Sequence, residues 1–290
     1  MKKIVMLIPC LMRDYNREAN HKAMAYALQN YELDEYVVDA QEFSPEDYRE
    51  GFTYIGHHSK GVGLVKARNE LLEWFYNSDY DYAFWLDSRC KISKTSVNDY
   101  LTVLRAIKEG VVDVDVILST IGVYISGERI AAKQAADSFD TVKLIPAKRR
   151  VLYDGINGEF MVNFKKKYGI EPKIDERCNP ALGVGEEIFF NALLRRLFDV
   201  YLAPTIVVSA GSIKNSVWMQ GKSSYAQEPP HPKQLIRKLV EQNASKIGDF
   251  KKGLSSTIIL NRVEDFKDKV TPYKPKSNFK LKSRSLLDKP

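Results

Sequence analysis

Tyr80-Asp81-Tyr82-Ala83-Phe84-Trp85-Leu86-Asp87-Ser88-Arg89 is the stretch on which the fold turns. Its apolar residues make a run of strand length, suited to burial on both faces, and the run stops at a carboxylate. Immediately upstream, Gly61–Tyr76 reads as a helix entered through a glycine-containing loop, with Leu64, Val65, Leu71, Leu72 and Phe75 on its apolar positions. Further back, Lys3–Pro9 is a buried strand, Asn16–Asn30 an amphipathic helix, and Glu35–Asp39 a second strand ending on a carboxylate. Downstream, Val116–Ile121 is another apolar run, led in by Asp113 and Asp115. Alternating strands and helices predict an α/β chain with a mainly parallel sheet flanked by helices on both faces. In such sheets ligands bind outside the carboxyl ends of the strands, which is where Asp39 and Asp87 fall.

Past Asp154 the character changes. Asp154–Gly158 is loop-like, Glu159–Phe164 reads as strand, Asn179–Glu187 leads into a helix, and Asp199–Ser209 is a β-branched strand. Residues 211–232 are rich in Gly, Ser, Pro and Gln and read as a flap or linker. Residues 233–290 then read as a basic extension, with an amphipathic helix over Pro232–Phe250 and a poorly ordered end after Thr271.

Charge sharpens that division. The 290-residue chain carries +7, but residues 231–290 hold 15 Lys plus Arg against six Asp plus Glu, a balance of +9 that leaves −2 for the rest. The field that would attract an anionic partner sits at one end, unless it is only a solvated tail. No apolar run approaches the roughly 18 residues of a membrane span. Met1-Lys2-Lys3 before Ile4–Leu7 imitates a signal peptide, but Pro9 interrupts the run and Arg13 and Asp14 follow. Cys10, Cys90 and Cys178 are scattered and odd in number, which argues against a disulfide framework or zinc cluster and for a reducing cytoplasm.

Four segments in order resemble the GT-A nucleotide-sugar glycosyltransferases. Gly61-x-Gly63-x-x-Lys66-Ala67-Arg68-Asn69-Glu70 resembles their "ARN" helix, and Trp85-Leu86-Asp87-Ser88-Arg89 resembles the strand that ends in Asp-x-Asp. Asp154-Gly155-Ile156-Asn157-Gly158-Glu159-Phe160 is similar to the acceptor-side "NGAF" segment, and Gly185-Glu186-Glu187 to the "GED" helix start. Family-2-type inverting enzymes and mannosyltransferases with "ARN…WLD" patterns are the nearest shapes. The resemblance implies a catalytic domain over residues 1–210, divided into a nucleotide-sugar half at 1–125 and an acceptor half at 126–210. It also implies a nucleoside diphosphate sugar as donor. Donor contacts would come from Pro9, Asp39, Lys66, Arg68, Asn69, Asp87, Ser88 and Arg89, and acceptor contacts from Asp154, Asn157, Gly158 and, in the flap, Trp218. Glu187 would be the catalytic base, with Glu186 in reserve; an ordinary acidic first-turn cap is the plain alternative for both.

The departure from the family pattern carries its own chemistry. Where Asp-x-Asp would hold Mn²⁺ or Mg²⁺, this chain has Asp87-Ser88-Arg89. A hard cation wants oxygen ligands, and a neighbouring guanidinium repels it. Arg89 can bind phosphate oxygens directly, helped by Lys66, Arg68 or Lys222. The expectation is metal-independent transfer, with a metal on Asp87 as the other possibility. Asp113-Val114-Asp115 has Asp-x-Asp spelling but precedes its strand, so it reads as a decoy. His57 and His58 are adjacent and would point to opposite faces of a strand. His231, between prolines, is a candidate to close over phosphate.

Three acceptors fit: a hydroxymethylated base in double-stranded DNA, as in base-glycosylating enzymes of bacteriophages, a surface or lipid-linked glycan at an anionic membrane, and a protein side chain. The basic end favours DNA; the basic helix lying on anionic lipid is the rival reading. A nucleotidyltransferase is disfavoured because Cys10–Asp14 lacks glycine, and a non-catalytic nucleotide-sugar or nucleic-acid binder stays open.

Overall fold

A computed structural model describes residues 1–121, 140–147, 158–176, 190, 193–194, 197–209 and 256–262. Ten strands build a single mixed sheet: β1 (Ile4–Leu11), β2 (Glu35–Gln41), β3 (Thr53–His58), β4 (Tyr82–Trp85), β5 (Lys91–Ile92), β6 (Val116–Ile121), β7 (Thr141–Pro146), β8 (Glu159–Val162), β9 (Val200–Ser209) and β10 (Ile258–Asn261). The helices described from end to end include α1 (Asp14–Asn30), α2 (Leu64–Asn77), α3 (Val97–Lys108) and the short α4 (Phe164–Tyr168). Strand order is β10-β7-β9-β6-β8-β4-β1-β2-β3, with β5 pairing β9.

The first half is parallel throughout, β1 lying between β2 and β4, and β3 outside β2. Such strands need crossovers: α1 joins β1 to β2, α2 joins β3 to β4, and residues 42–52 with a 3-10 turn at Pro45–Asp47 join β2 to β3. β8 then enters antiparallel between β4 and β6, while β6 and β9 run parallel. The expected strands over Lys3–Pro9, Glu35–Asp39, Tyr80–Leu86, Val116–Ile121 and Asp199–Ser209 are all present, shifted by a residue or two at their ends. β1 runs two residues beyond Pro9.

Packing of large side chains fixes the helices to the sheet. Phe84 on β4 meets Tyr100 of α3 at a ring distance of 4.9 Å and Phe160 of β8 at 4.7 Å. Burial of such rings supplies much of a core's stabilisation. Asn163 joins the two halves: its amide donates to the carbonyl of Phe75 at the end of α2, and its Oδ1 accepts from the Lys166 N–H that opens α4. Asp113 and Asp115 precede β6 and serve the scaffold. Asp115 accepts from Lys167 Nζ, Tyr168 Oη and the Asp199 N–H, and Asp113 accepts from Lys2 Nζ.

The basic extension differs from its sequence reading in one place. Within residues 233–290, Ile258–Asn261 add an edge strand antiparallel to β7. Arg262 anchors it, its Nε and Nη2 donating to the two carboxylate oxygens of Asp99 on α3 at 2.7 and 3.0 Å. Four residues of alternating burial inside a lysine-rich stretch give no sequence pattern long enough to read. Pro232–Phe250, the 211–232 flap and the end after Thr271 lie outside the described residues. Among the described residues no helix is long and apolar enough to cross a membrane, and buried Cys10 is a free thiol.

Candidate functional site

The carboxyl ends of β4, β1 and β2 place Asp87, Pro9 and Asp39 in a row. Pro9 is in register with Asp39, and the Ser88 N–H reaches the Pro9 carbonyl at 3.4 Å. Asp39 and Asp87 therefore flank the central strand, two strand spacings or about 9–10 Å apart. A proline inside a central strand removes a ladder donor and is unusual there. Here it sits where the flanking strands reach the end of the sheet, the general location of ligand crevices in open α/β sheets.

α2 delivers residues to both aspartates. It starts after Gly63, whose φ of +91° suits a residue without Cβ, and its first turn has no side-chain cap. The loop before it is tied to β2. The Val62 N–H donates to Gln41 Oε1, the Gly61 N–H donates to Glu42 Oε1, and both are 2.9 Å. Arg13 holds Glu42 from the other side.

At Asp87 the finding is an ion pair. Arg68 is fully buried, and its Nη2 donates to Oδ1 and Oδ2 of Asp87 at 3.0 and 3.3 Å. Arg68 thus braces Asp87 through its Nη2. Ser88, also read as a donor contact, is buried and donates to Oδ1 of buried Asn20, whose amide donates to the Leu11 carbonyl. Asn69 is occupied likewise: both ends of its amide bond the backbone of Ile174, at 2.9 Å each. Arg89 is partly buried beside this cluster, and Lys66 stands largely in solvent, 3.8 Å from Glu70. Arg89 stands where Asp-x-Asp would put its second carboxylate, and Asp87 faces a buried guanidinium, so these two positions offer a hard cation one carboxylate between two positive charges.

At Asp39 a second cluster forms. Asp39 is fully buried; its Oδ1 accepts from Gln41 Nε2 at 2.9 Å, and its Oδ2 has no hydrogen-bond partner. His58 Nε2 lies 4.0 Å from that Oδ2 and 2.6 Å from Glu70 Oε2. Burial, then the adjacent Glu70 carboxylate, pushes the Asp39 carboxyl up to about 8. His57 Nδ1 lies 3.2 Å from Tyr48 Oη, and its φ of +45° falls where the β2–β3 register shifts. Glu70 and His58 carry no sequence signature of their own. Glu70 is one turn after Lys66 and reads as half of a surface ion pair.

Gly158 immediately precedes β8, beside the end of β4. Its N–H donates to the Trp85 carbonyl at 2.7 Å, and its own carbonyl accepts from the Ser119 N–H at 3.2 Å. A Cβ here would lie 2.1 Å from Ser119 Oγ, and φ is +76°, so only glycine fits. Glu159, one residue on, is buried in register with Trp85. Asp154, Asn157, Glu186, Glu187, Trp218, Lys222 and His231 lie outside the described residues.

With this geometry in view, the likeness to solved structures is informative. S. aureus TarS, residues 1–349 in complex with UDP-GlcNAc, superposes with a TM-score of 0.51 over 84% of this chain and 73% of that one, at 14% identity. GalNAc-T7 with UDP, GalNAc and Mn²⁺ gives a TM-score of 0.52 over 85% of this chain and 50% of its own length, at 13% identity. The chain has the GT-A fold. No protein-family model matches it, and no curated protein does.

Proposed function

We propose that the chain is a glycosyltransferase that moves a sugar from a nucleoside diphosphate sugar to an acceptor hydroxyl. The observation that carries this reading is the pair of strand-end aspartates on either side of Pro9, in a GT-A sheet whose α2 helix begins beside them uncapped. The fold alone would not suffice, since one fold hosts many functions.

Each part of the reaction then falls to a residue type present here. The leaving diphosphate needs positive charge that strengthens as the bond breaks. Arg89, two residues after Asp87, is assigned that role from the sequence, with Lys66 and the first-turn N–H groups of α2 adding to the same field. Arg68 and Asp87 hold one another, so the loop carrying Arg89 is fixed before donor arrives, and that spares the cost of ordering it on binding. Asp39, at the carboxyl end of β2, is assigned to the nucleobase or ribose from the sequence. The acceptor hydroxyl needs a base, and Glu187 is assigned that role from the sequence, with Glu186 in reserve. Asp154, Asn157, Gly158 and Trp218 are assigned to the acceptor.

For the acceptor itself, the +9 balance of residues 231–290 favours a polyanion, and a hydroxymethylated base in duplex DNA is the reading we adopt. A glycan at an anionic membrane is the competing outcome. Duplex DNA retention is compared with flotation on anionic liposomes, each at two salt concentrations. Salt-sensitive DNA binding supports the first, and flotation without DNA binding replaces it with the second. Donor identity is tested by thermal shift across nucleoside diphosphate sugars, where a native-state ligand raises the melting temperature. No shift with any of them overturns the transferase reading.

A further inference from the structure

We propose that Asp39 Oδ2, His58 Nε2 and Glu70 Oε2 form a three-ligand site for a divalent transition-metal cation, zinc being the best match, separate from Asp87. The three ligand atoms come from β2, β3 and α2 and lie within 4.8 Å of one another. One imidazole nitrogen with two carboxylates is a donor set that zinc accepts, with water in the fourth position.

Three features distinguish this cluster from chance proximity of acidic groups. Asp39 is 0% exposed, and its Oδ2, which no N–H or O–H donor of another residue reaches, points at His58 and Glu70. Two carboxyl groups facing one another there need a proton or a cation between them. The other oxygen, Oδ1, is fixed by the Gln41 amide, which is in turn held by the Val62 N–H. Hydrogen-bonded support of that kind orients a ligating carboxylate. Finally, Gly56, with φ +80°, opens the space: a Cβ there would lie 2.5 Å from Asp39 Oδ2.

The fit requires small movements. Ligands about 2.1 Å from a tetrahedral ion are about 3.4 Å apart. His58 and Glu70 must therefore open from 2.6 Å, and Asp39 and His58 close from 4.0 Å. Both His58 and Glu70 are partly exposed, with side chains free to make such shifts, and that exposure also gives the ion a way in. Lys66, 3.8 Å from Glu70, opposes the ion and sets a limit on affinity. The cluster sits at the β2 end, two strands from Asp87, so an ion there does not contact a leaving diphosphate held at Arg89. Its role is to lock β2, β3 and α2 together under the crevice.

The test uses the full chain, stripped with a chelator and dialysed, then titrated with Zn²⁺ and, separately, Co²⁺. The expected result is one equivalent of Zn²⁺ bound and visible Co²⁺ absorption bands. Both are lost or weakened at least tenfold in His58→Gln and in Glu70→Gln. His21→Gln, which alters the only other described histidine–carboxylate contact apart from the cluster, keeps them. Circular dichroism establishes that each variant is folded. Because His58 and Glu70 are partly exposed, the two variants back each other if one is poorly folded. No bound equivalent in the wild type, or wild-type affinity retained in both His58→Gln and Glu70→Gln, overturns the site. Neither donor nor turnover enters this measurement, so it stands apart from the glycosyl-transfer reading.

Discussion

Arg68, wholly enclosed on α2, donates from one nitrogen to both carboxylate oxygens of Asp87 at the end of β4. This pair changes what the strand-end aspartate can do. A carboxylate that holds a metal gains by losing its charge when the metal is absent. A carboxylate that neutralises a buried guanidinium loses. Asp87→Asn is therefore expected to lower the stability of the metal-free protein by roughly 3 kcal/mol, in line with breaking one side of a buried pair. Partial exposure of Asp87 puts the cost at the lower end of that class. Urea denaturation in EDTA measures it; an increase in stability would mark Asp87 as a metal ligand.

Asp39 gives a pH prediction whose sign follows from its raised carboxyl, about 8 in the folded chain against 3.8 ordinarily. Between those values the unfolded chain has released a proton that the folded one keeps. Stability therefore falls as pH rises from about 4 to about 8, and levels off above. Asp39→Asn removes the titrating group while its side-chain oxygen can still accept from Gln41. In chelator-treated protein the melting temperatures of wild type and Asp39→Asn should diverge as pH rises from 5 to 8, with the variant higher at pH 8. Parallel curves would contradict the assignment.

Gly56→Ala combines a left-handed φ with a Cβ 2.5 Å from Asp39 Oδ2. The backbone term alone is about 1–2 kcal/mol. Loss of at least that much is expected in denaturant titration. Gly110→Ala, also at positive φ but with open space around it, isolates the steric part by costing less.

Arg262→Ala should release β10 from α3. Two charge-assisted hydrogen bonds to Asp99, itself nearly buried, are lost. The expected cost is about 1.5–3 kcal/mol, with Asp99 left short of partners. Hydrogen exchange should accelerate at Ile258–Asn261 and at the β7 amides they pair with, while β1, β2 and β4 keep their protection.

How far the sequence carried this account depends on the length of each signal. Lys3–Pro9, Tyr80–Leu86 and Val116–Ile121 are apolar runs whose burial leaves little choice of structure, and the strands appear there. β3 and β10 were not legible: around Thr53–His58 only the adjacency of His57 and His58 drew notice, and Ile258–Asn261 is too short against its lysine-rich surroundings. In the site, strand-end placement drew attention to Asp39 and Asp87. What it missed was partnership. Arg68 and Asn69 lie in a motif that invites a ligand role, and nothing in its spacing announces that the first pairs with Asp87 and the second bonds the backbone of Ile174. His58 and Glu70 meet Asp39 only because β3 and α2 converge on β2, a tertiary fact with no local spacing to announce it.

The central claim is that cationic side chains, led by Arg89, steady a departing nucleoside diphosphate without a metal at Asp87. The direct measurement is nucleoside diphosphate release from the donor sugar nucleotide that gives a thermal shift, followed with acceptor present, with and without EDTA. The account predicts turnover that survives EDTA and falls roughly 10²–10³-fold in Arg89→Ala, the range for removing one such charge-stabilising donor. Turnover abolished by EDTA and restored by Mn²⁺, with Arg89→Ala as active as wild type, would contradict it.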